Sequence, residues 1–139
     1  MSAEMNITKY LDGTVLFDTG DRADCMYVIR SGKVRIYREK DGHDTTLDIL
    51  KPGDFFGEMS LFDKRPRSAS AQVVGETELQ TMTREELESQ ITDPFVWGMM
   101  VKLAERIRTL DNAFERLEVQ NVVRQEHLAS LPIRRSWGV

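Results

Sequence analysis

Apolar residues follow two rhythms along this chain, and the change comes near residue 83. Before it, β-branched and aromatic residues gather in short runs: "TVLFD", "CMYVIR", "KVRIYRE", "TTLDIL", "SAQVV" and "ELQTM". Each has the length and make-up of a β-strand. Glycines punctuate the runs at Gly13, Gly20, Gly32, Gly42, Gly53, Gly57 and Gly75. "KDGHD" predicts a hairpin turn, because Asp41 and Gly42 tolerate the positive φ that tight hairpins require. "RSGKV" predicts a second turn, with Gly32 at its bend. Many short strands at near-regular spacing point to a barrel or a sandwich.

Beyond residue 83 the period becomes helical. Thr83 with Glu86 three positions later is a capping-box signature for a helix through "TREELESQI". Asp93 then caps a longer helix that Pro94 opens, since the first turn has no use for the N–H that proline lacks. Met100, Leu103, Ile107, Leu110, Phe114 and Leu117 recur at alternating steps of three and four. That is the seam of a coiled coil, which predicts burial against a second helix or, as the rival, against the chain's own barrel. Glu105, Arg106, Arg108, Asp111, Asn112, Glu115 and Arg116 read as exposed flanks, and Asn121 falls near an a position, where it helps to set register. The expected organisation is a barrel over residues 1–92, a long helix over 93–125 and a tail over 126–139.

Composition narrows the class. A chain of 139 residues is the size of one domain with an appended element, large enough to bury a core without staples. A 40 % hydrophobic, 30 % charged make-up is that of a folded chain. The net charge of −4 argues against bulk nucleic-acid binding and gives no attraction to anionic membranes. With Cys25 the single cysteine, no intrachain disulfide forms, and a strand-start position assigns it to core packing. "MSAEMNITKY" lacks the apolar run of a signal peptide, and no stretch approaches the ~18 apolar residues of a spanning helix, so the expectation is cytoplasmic. His43 and His127 are far apart and form no metal cluster. That removes a cupin-type metalloenzyme, and no Ser-His-Asp or Cys-His constellation stands out. A binding module, not an enzyme, is expected.

The chemistry concentrates in "GDFFGEMSLFDKRPRSASAQVV", Gly53 to Val74. After Phe55–Phe56, "GE" opens a short helical turn whose first amides lack internal partners and suit an anion. Gly57 has no side chain to block an approach, and Ser60 is small. "DKRP" turns the chain, and Arg67 enters the next strand opposite in direction to Ser68. An arginine fork matches phosphate oxygens. Glu58 is repelled by phosphate but accepts a hydrogen bond from a sugar hydroxyl. Acid for ribose, arginine and amides for phosphate: the pair suits a nucleotide held by its sugar-phosphate part. Arg65 is expected to be solvated or paired with Asp63.

"FGEMSL" followed by "PRSASA" closely resembles the phosphate-binding cassette of cyclic nucleotide-binding domains, of the catabolite activator and protein kinase A regulatory subunit type. "YLDGTVLFDTGDRADCMYVIRSGKVRIY" is similar to the first strands of that family, and the resemblance runs over residues 7–125. It implies a mainly β fold with C-terminal helices, a double-stranded β-helix (jelly-roll) barrel followed by a long dimerisation or lid helix. It implies cAMP or cGMP as ligand, with no metal. The implied ligand-binding residues are Phe56, Gly57, Glu58, Met59, Ser60, Arg67, Ser68 and Ala69. Among them Glu58 takes the ribose 2′-hydroxyl, Arg67 the cyclic phosphate, and Gly57, Ser60 and Ser68 supply further hydrogen bonds. Asp111 and Asn112, in the helical region beside the base in the family, are candidate base contacts. The implied partners are a second copy through residues 100–121 and an unknown effector protein. No helix-turn-helix signature follows the seam, so direct DNA binding is not expected. The alternatives are the sensory part of a truncated Crp-like transcription regulator, or a divergent barrel for another ligand. Relatives that have lost the nucleotide usually lack the arginine or the glutamate, and both are present here.

Overall fold

The computed structural model describes residues 6–120, with side chains through residue 117. The strands are β1 (Ile7–Tyr10), β2 (Val15–Phe17), β3 (Cys25–Lys40), β4 (His43–Leu50), β5 (Phe55–Phe56) and β6 (Ser70–Thr83). The helices are α1 (Met59–Asp63), α2 (Arg84–Gln90) and α3 (Pro94–Gln120). All strand pairings are antiparallel, in the order β1-β6-β3-β4, with β2 added to β6 and β5 to β3. The fold is therefore mainly β with C-terminal helices. Asn121, the helix portion 121–125 and the tail 126–139 lie outside the described residues. Among the described residues no helix is long and apolar enough to cross a membrane.

Two long bent strands organise the barrel. β3 joins the predicted "CMYVIR" and "KVRIYRE" in one strand, and β6 joins "SAQVV" and "ELQTM". The turn expected at "RSGKV" is instead a bulge: register shifts twice, between Ile29 and Ser31 and between Ser31 and Lys33. Gly32 makes it feasible. Its φ is +86°, and a Cβ there would lie 2.1 Å from Thr77 Oγ1 and 2.7 Å from the Glu76 carbonyl oxygen. Thr77 is fully buried and locks the bend, accepting from the Lys33 N–H and donating among the Lys33 and Gly75 carbonyls. A bulge of this kind bends both strands together, so each serves both ends of the barrel. The expected hairpin does form, with Asp41 at φ 53° and Gly42 at φ 77°.

Alternation along β3 divides the interior. Tyr27 and Ile29 face the barrel core with Phe17, Val34, Ile36, Phe56 and Leu79, where Tyr27 and Phe56 stack at 5.0 Å. Met26 faces the other way, into a second apolar cluster with Met59, Leu61, Phe62, Leu87 and Ala104 that cements the three helices to the barrel. Trp97 of α3 packs on Phe62 of α1 at 4.8 Å. Thr83 and Glu86 form the predicted capping box. Asp93 caps α3, its carboxylate accepting from the Phe95 N–H at 2.8 Å.

The stripe on α3 is not one face. Met100 and Ile107, with buried Ala104, pack on the second cluster. Leu103, Leu110 and Leu117 are 42, 59 and 46 % exposed, and Phe114 is half-buried. Residues three apart lie about 60° apart around a helix, so the Met100–Ile107 row borders the face that meets the barrel while the Leu103–Leu110 row lies one step further toward solvent. Arg108 and Asp111, expected on exposed flanks, are buried at 7 and 3 % exposure.

The bulge yields a direct stability test. Gly32 and Gly13 share φ +86°, but Gly13 has nothing within 4 Å of a new Cβ. Gly13→Ala is expected to cost about 1–2 kcal/mol of left-handed strain. Gly32→Ala adds a backbone collision and is expected to exceed it by at least ~2 kcal/mol in urea unfolding. Equal costs would show that the strands do not close on each other there.

Candidate ligand-binding site

Arg67 lies in the loop between α1 and β6, and its backbone is fixed before its side chain is considered. The Gly20 N–H donates to the Arg67 carbonyl at 2.7 Å, and the Arg67 N–H donates to the Asp21 carbonyl at 2.9 Å. The side chain therefore turns inward and is 3 % exposed. Nη1 donates to the Gly57 carbonyl at 2.6 Å and Nη2 to the Cys25 carbonyl at 2.5 Å. The guanidinium carbon sits 4.1 Å over the Phe17 ring, and Nε has no hydrogen-bond partner among the described residues. Gly57 is required for this approach: at φ +83°, a Cβ would fall 2.7 Å from Nη1.

The electrostatics are unusual. Among the described ion pairs none involves Arg67. Burial pushes its pKa down, opposed by Cys25, Tyr27, Asp24 and, least, Glu58. Arginine nevertheless stays charged in proteins. A buried cation bound only to neutral carbonyls is a costly arrangement unless an anion completes it.

Glu58 stands at the N-cap of α1 without capping it. Burial pushes its carboxyl up to about 7, against smaller downward pulls from its own backbone N–H and from Arg67. Ser68 follows Arg67. Its buried hydroxyl has no hydrogen-bond partner among the described residues, and its carbonyl accepts from Arg38 Nε at 2.8 Å. The structure thus brings Arg67 against the Gly57 carbonyl, with Glu58 and Ser68 next to these two in sequence. α1 is a single turn of five residues, so the weight of anion binding rests on Arg67.

The other sequence candidates divide. Phe56, Met59 and Ala69 are packing residues, at 1, 3 and 1 % exposure. The Ser60 hydroxyl is turned to Arg108 Nη2 at 3.2 Å. Asp111 accepts from Arg38 Nη2 at 2.5 Å, and Asn112 is exposed. Arg65 is exposed; the Asp63 carboxylate accepts from its backbone N–H and forms its ion pair with Arg108. Arg38 and Arg108 were not singled out by the sequence. Both sit at ordinary polar positions of their elements, and no local signal separates Arg38 from Arg35. A surface groove of about 960 Å³ runs between Arg22, Lys64, Arg84 and Glu88; it takes in Ser60, Leu61 and Pro66 of the cassette but is lined by none of Glu58, Arg67 or Ser68. Among the described residues no group of three His, Cys, Asp or Glu is placed to hold a metal ion.

Comparison with known proteins bears on this geometry. The cyclic nucleotide-binding domain family matches residues 7–93. A "Cyclic AMP receptor protein" of Thermus thermophilus is 37 % identical over 129 residues, 91 % of this chain and 60 % of that one. A "CRP-like cAMP-activated global transcriptional regulator" of Mycobacterium tuberculosis is 40 % identical over 120 residues, 80 % of this chain and 54 % of its own length. This chain therefore spans between half and two thirds of the length of these relatives. Among solved structures, the cAMP-bound form of the EAL enzyme Bd1971 superposes with a TM-score of 0.67 at 30 % identity, over 89 % of this chain and 33 % of that one. With a matching profile over most of the barrel, and the cassette folded around a buried arginine, the chain belongs to the cyclic nucleotide-binding domain family.

Proposed function

We propose that this protein is a regulatory module that binds cAMP or cGMP through Arg67, Ser68 and Glu58 and reports occupancy through α3. The carrying observation is the buried Arg67 guanidinium, which has two neutral carbonyl partners and, among the described residues, no carboxylate within ion-pair distance. A cyclic phosphate supplies the missing negative charge. Its oxygens replace the Gly57 and Cys25 carbonyls and use the free Nε, with the Ser68 hydroxyl as a second donor. The Glu58 carboxylate accepts from the ribose 2′-hydroxyl. The names of the relatives support the ligand: one is a cyclic AMP receptor, and a similar structure is a cGMP-bound form. The same names support a regulatory rather than catalytic role for this domain, within a transcription regulator or an enzyme chain, and we place that role in the cytoplasm.

The second element of the reading is a symmetric homodimer through residues 100–121. Leu103, Leu110 and Leu117 recur every seven residues on the exposed side of α3, the spacing that a partner helix covers. The inward side, through Met100 and Ile107, is already covered by the chain itself.

Three outcomes test these assignments. Arg67→Ala should lower cyclic nucleotide affinity by more than tenfold in calorimetric titration, since a charged hydrogen bond contributes ~1.5–3 kcal/mol and about 1.4 kcal/mol is one decade. Arg65→Ala, on an exposed side chain, is expected to leave affinity unchanged. If both variants bind like the wild type, the phosphate site is elsewhere.

The Glu58 carboxyl is held at about 7 in the ligand-free protein, and the ribose hydroxyl favours its ionised form. Binding below that pH therefore releases a proton. Affinity should be full above pH 7 and fall as pH drops, by up to about tenfold per unit. Glu58→Gln should flatten the profile, and a 2′-deoxy nucleotide should lose most of its dependence on Glu58. An unchanged profile in the variant removes Glu58 from the ribose.

Light scattering checks the dimer. Leu110→Glu should give monomers that still bind nucleotide, whereas Ile107→Glu, on the inward side, should lower the melting temperature. A wild type already monomeric at tens of micromolar (a working range where mass action is readable) would defeat the dimer assignment.

A further inference from the structure

Two arginines lie three residues apart on β3 and do different things. Arg35 spends its guanidinium inside the sheet, on Asp44, Thr46 and Gln72. Arg38 reaches out of it in three directions. Nε donates to the Ser68 carbonyl at 2.8 Å. Nη2 meets the Asp111 carboxylate at 2.5 Å, and Nη1 lies 2.5 Å from Glu115 Oε1. The Arg38 side chain is 17 % exposed and that of Asp111 3 %. Nε and Nη2 hydrogen-bond, whereas Nη1 has no hydrogen-bond partner among the described residues and meets Glu115 as a close charge contact; a planar fork holds a carbonyl and a carboxylate at once in this way, and an ammonium cannot.

The position of Ser68 gives this bridge its meaning. Residue 67 is pinned on one side by Gly20 and Asp21, and the next carbonyl along the chain is pinned by Arg38. The Ser68 hydroxyl, buried beside Arg67 and without a hydrogen-bond partner among the described residues, is carried by the residue whose carbonyl Arg38 holds, so a ligand that engages that hydroxyl bears on the same residue. That residue is joined through one side chain to two acids on α3. On the other limb of the cassette, Arg108 ties α3 to Asp63 and to the Ser60 hydroxyl. The helix thus grips both limbs, directly at α1 and through Arg38 at Ser68.

We propose that Arg38 is a positioning residue that couples occupancy of the cassette to docking of the 108–117 portion of α3. This rests on the cyclic nucleotide reading of the site. It adds that the docked helix holds the Ser68 peptide in its binding arrangement, so that releasing the helix weakens the ligand and the ligand tightens the helix. Such coupling is reciprocal.

The test uses the full 139-residue chain, with cAMP and cGMP titrated by calorimetry against wild type, Arg38→Lys, Asp111→Asn and the double variant. The lysine keeps the charge and loses the bridge; the asparagine keeps the shape and loses the ion pair. Each single change is expected to weaken the better-bound nucleotide by about tenfold, within the usual range of coupling between sites. The double variant is expected to be no weaker than the worse single. Amide hydrogen exchange over residues 108–117 supplies a readout that a purely structural role would not move. Nucleotide should slow exchange there in the wild type and not in Arg38→Lys, whatever the basal rate. Nucleotide protection that survives in Arg38→Lys, or effects that simply add in the double variant, would overturn the proposal. A wild type that binds neither nucleotide would instead sink the functional reading, and this inference with it.

Discussion

A buried guanidinium with no ion-pair partner among the described residues is the constraint around which the rest of this barrel is arranged. Arg67 gives up nearly all its water and receives two carbonyl oxygens and an aromatic face in return. Carbonyls satisfy N–H groups but do not neutralise charge, so the desolvation cost is only partly offset. Much of the local sequence serves this placement. Gly57 lacks the Cβ that would strike Nη1. Gly20 and Asp21 hold the Arg67 backbone. Phe17 lies beneath the guanidinium and also packs in the barrel core beside Tyr27 and Phe56. A charge kept at such cost is consistent with use by an anionic ligand; a hydrophobic side chain of similar size would serve packing better.

Helix α3 carries two kinds of contact in sequence along one face. Its first half is fixed by apolar packing, Trp97 on Phe62 and Ala104 in the helical cluster. One turn later the same face switches to charge, with Arg108 on Asp63 and Asp111 on Arg38. The distinction is physical. Apolar burial is non-directional and tolerates small shifts, whereas a bridged ion pair depends on the position of every partner. The helix is thus anchored firmly at its start and conditionally where it crosses the cassette. The opposite side, through Leu103 and Leu110, remains uncovered in the single chain.

The sequence made the local chemistry legible and the long-range pairing much less so. The capping box at Thr83 and Glu86 and the Asp41–Gly42 hairpin each rest on residues close in sequence, and each formed; within the cassette, Arg67 meets the Gly57 carbonyl ten positions away. The Gly32 segment was misread as a turn because its true partner, Thr77, is distant in the chain; only the pairing of β3 with β6 shows that the glycine makes room for another strand. The α3 stripe was misread for a related reason. Heptad spacing is satisfied by two faces of one helix when one of them meets the chain's own barrel. Arg38, Arg108 and Asp111 looked like solvated polar positions, since nothing near them in sequence announces a buried partner. Ser60 was assigned to the ligand by resemblance; its hydroxyl accepts from Arg108, 48 positions away, a contact no local pattern announces.

Glu58 and Arg67 present the opposite signs of one problem. A direct ion pair between them would relieve both and close the site, yet each is the smallest influence named on the pKa of the other. Geometry keeps them apart: Glu58 stands at the start of α1, while Arg67 lies against the Gly57 carbonyl. The consequence for the fold can be signed. Burial raises Glu58 from an ordinary 4.5 to about 7, so between those values the folded chain retains a proton that the unfolded chain has lost. Stability from this group is full below the lower value and is lost as pH rises through the upper one. The proposed ligand requires the reverse, an ionised Glu58 to accept the ribose hydroxyl. At neutral pH, then, the cassette carries a cation with no ion-pair partner among the described residues and a carboxyl near the midpoint of its titration. A single molecule with a phosphate and a free hydroxyl at the right separation would serve both, and the stabilisation it returns is largest where burial of the ionised Glu58 costs the fold most.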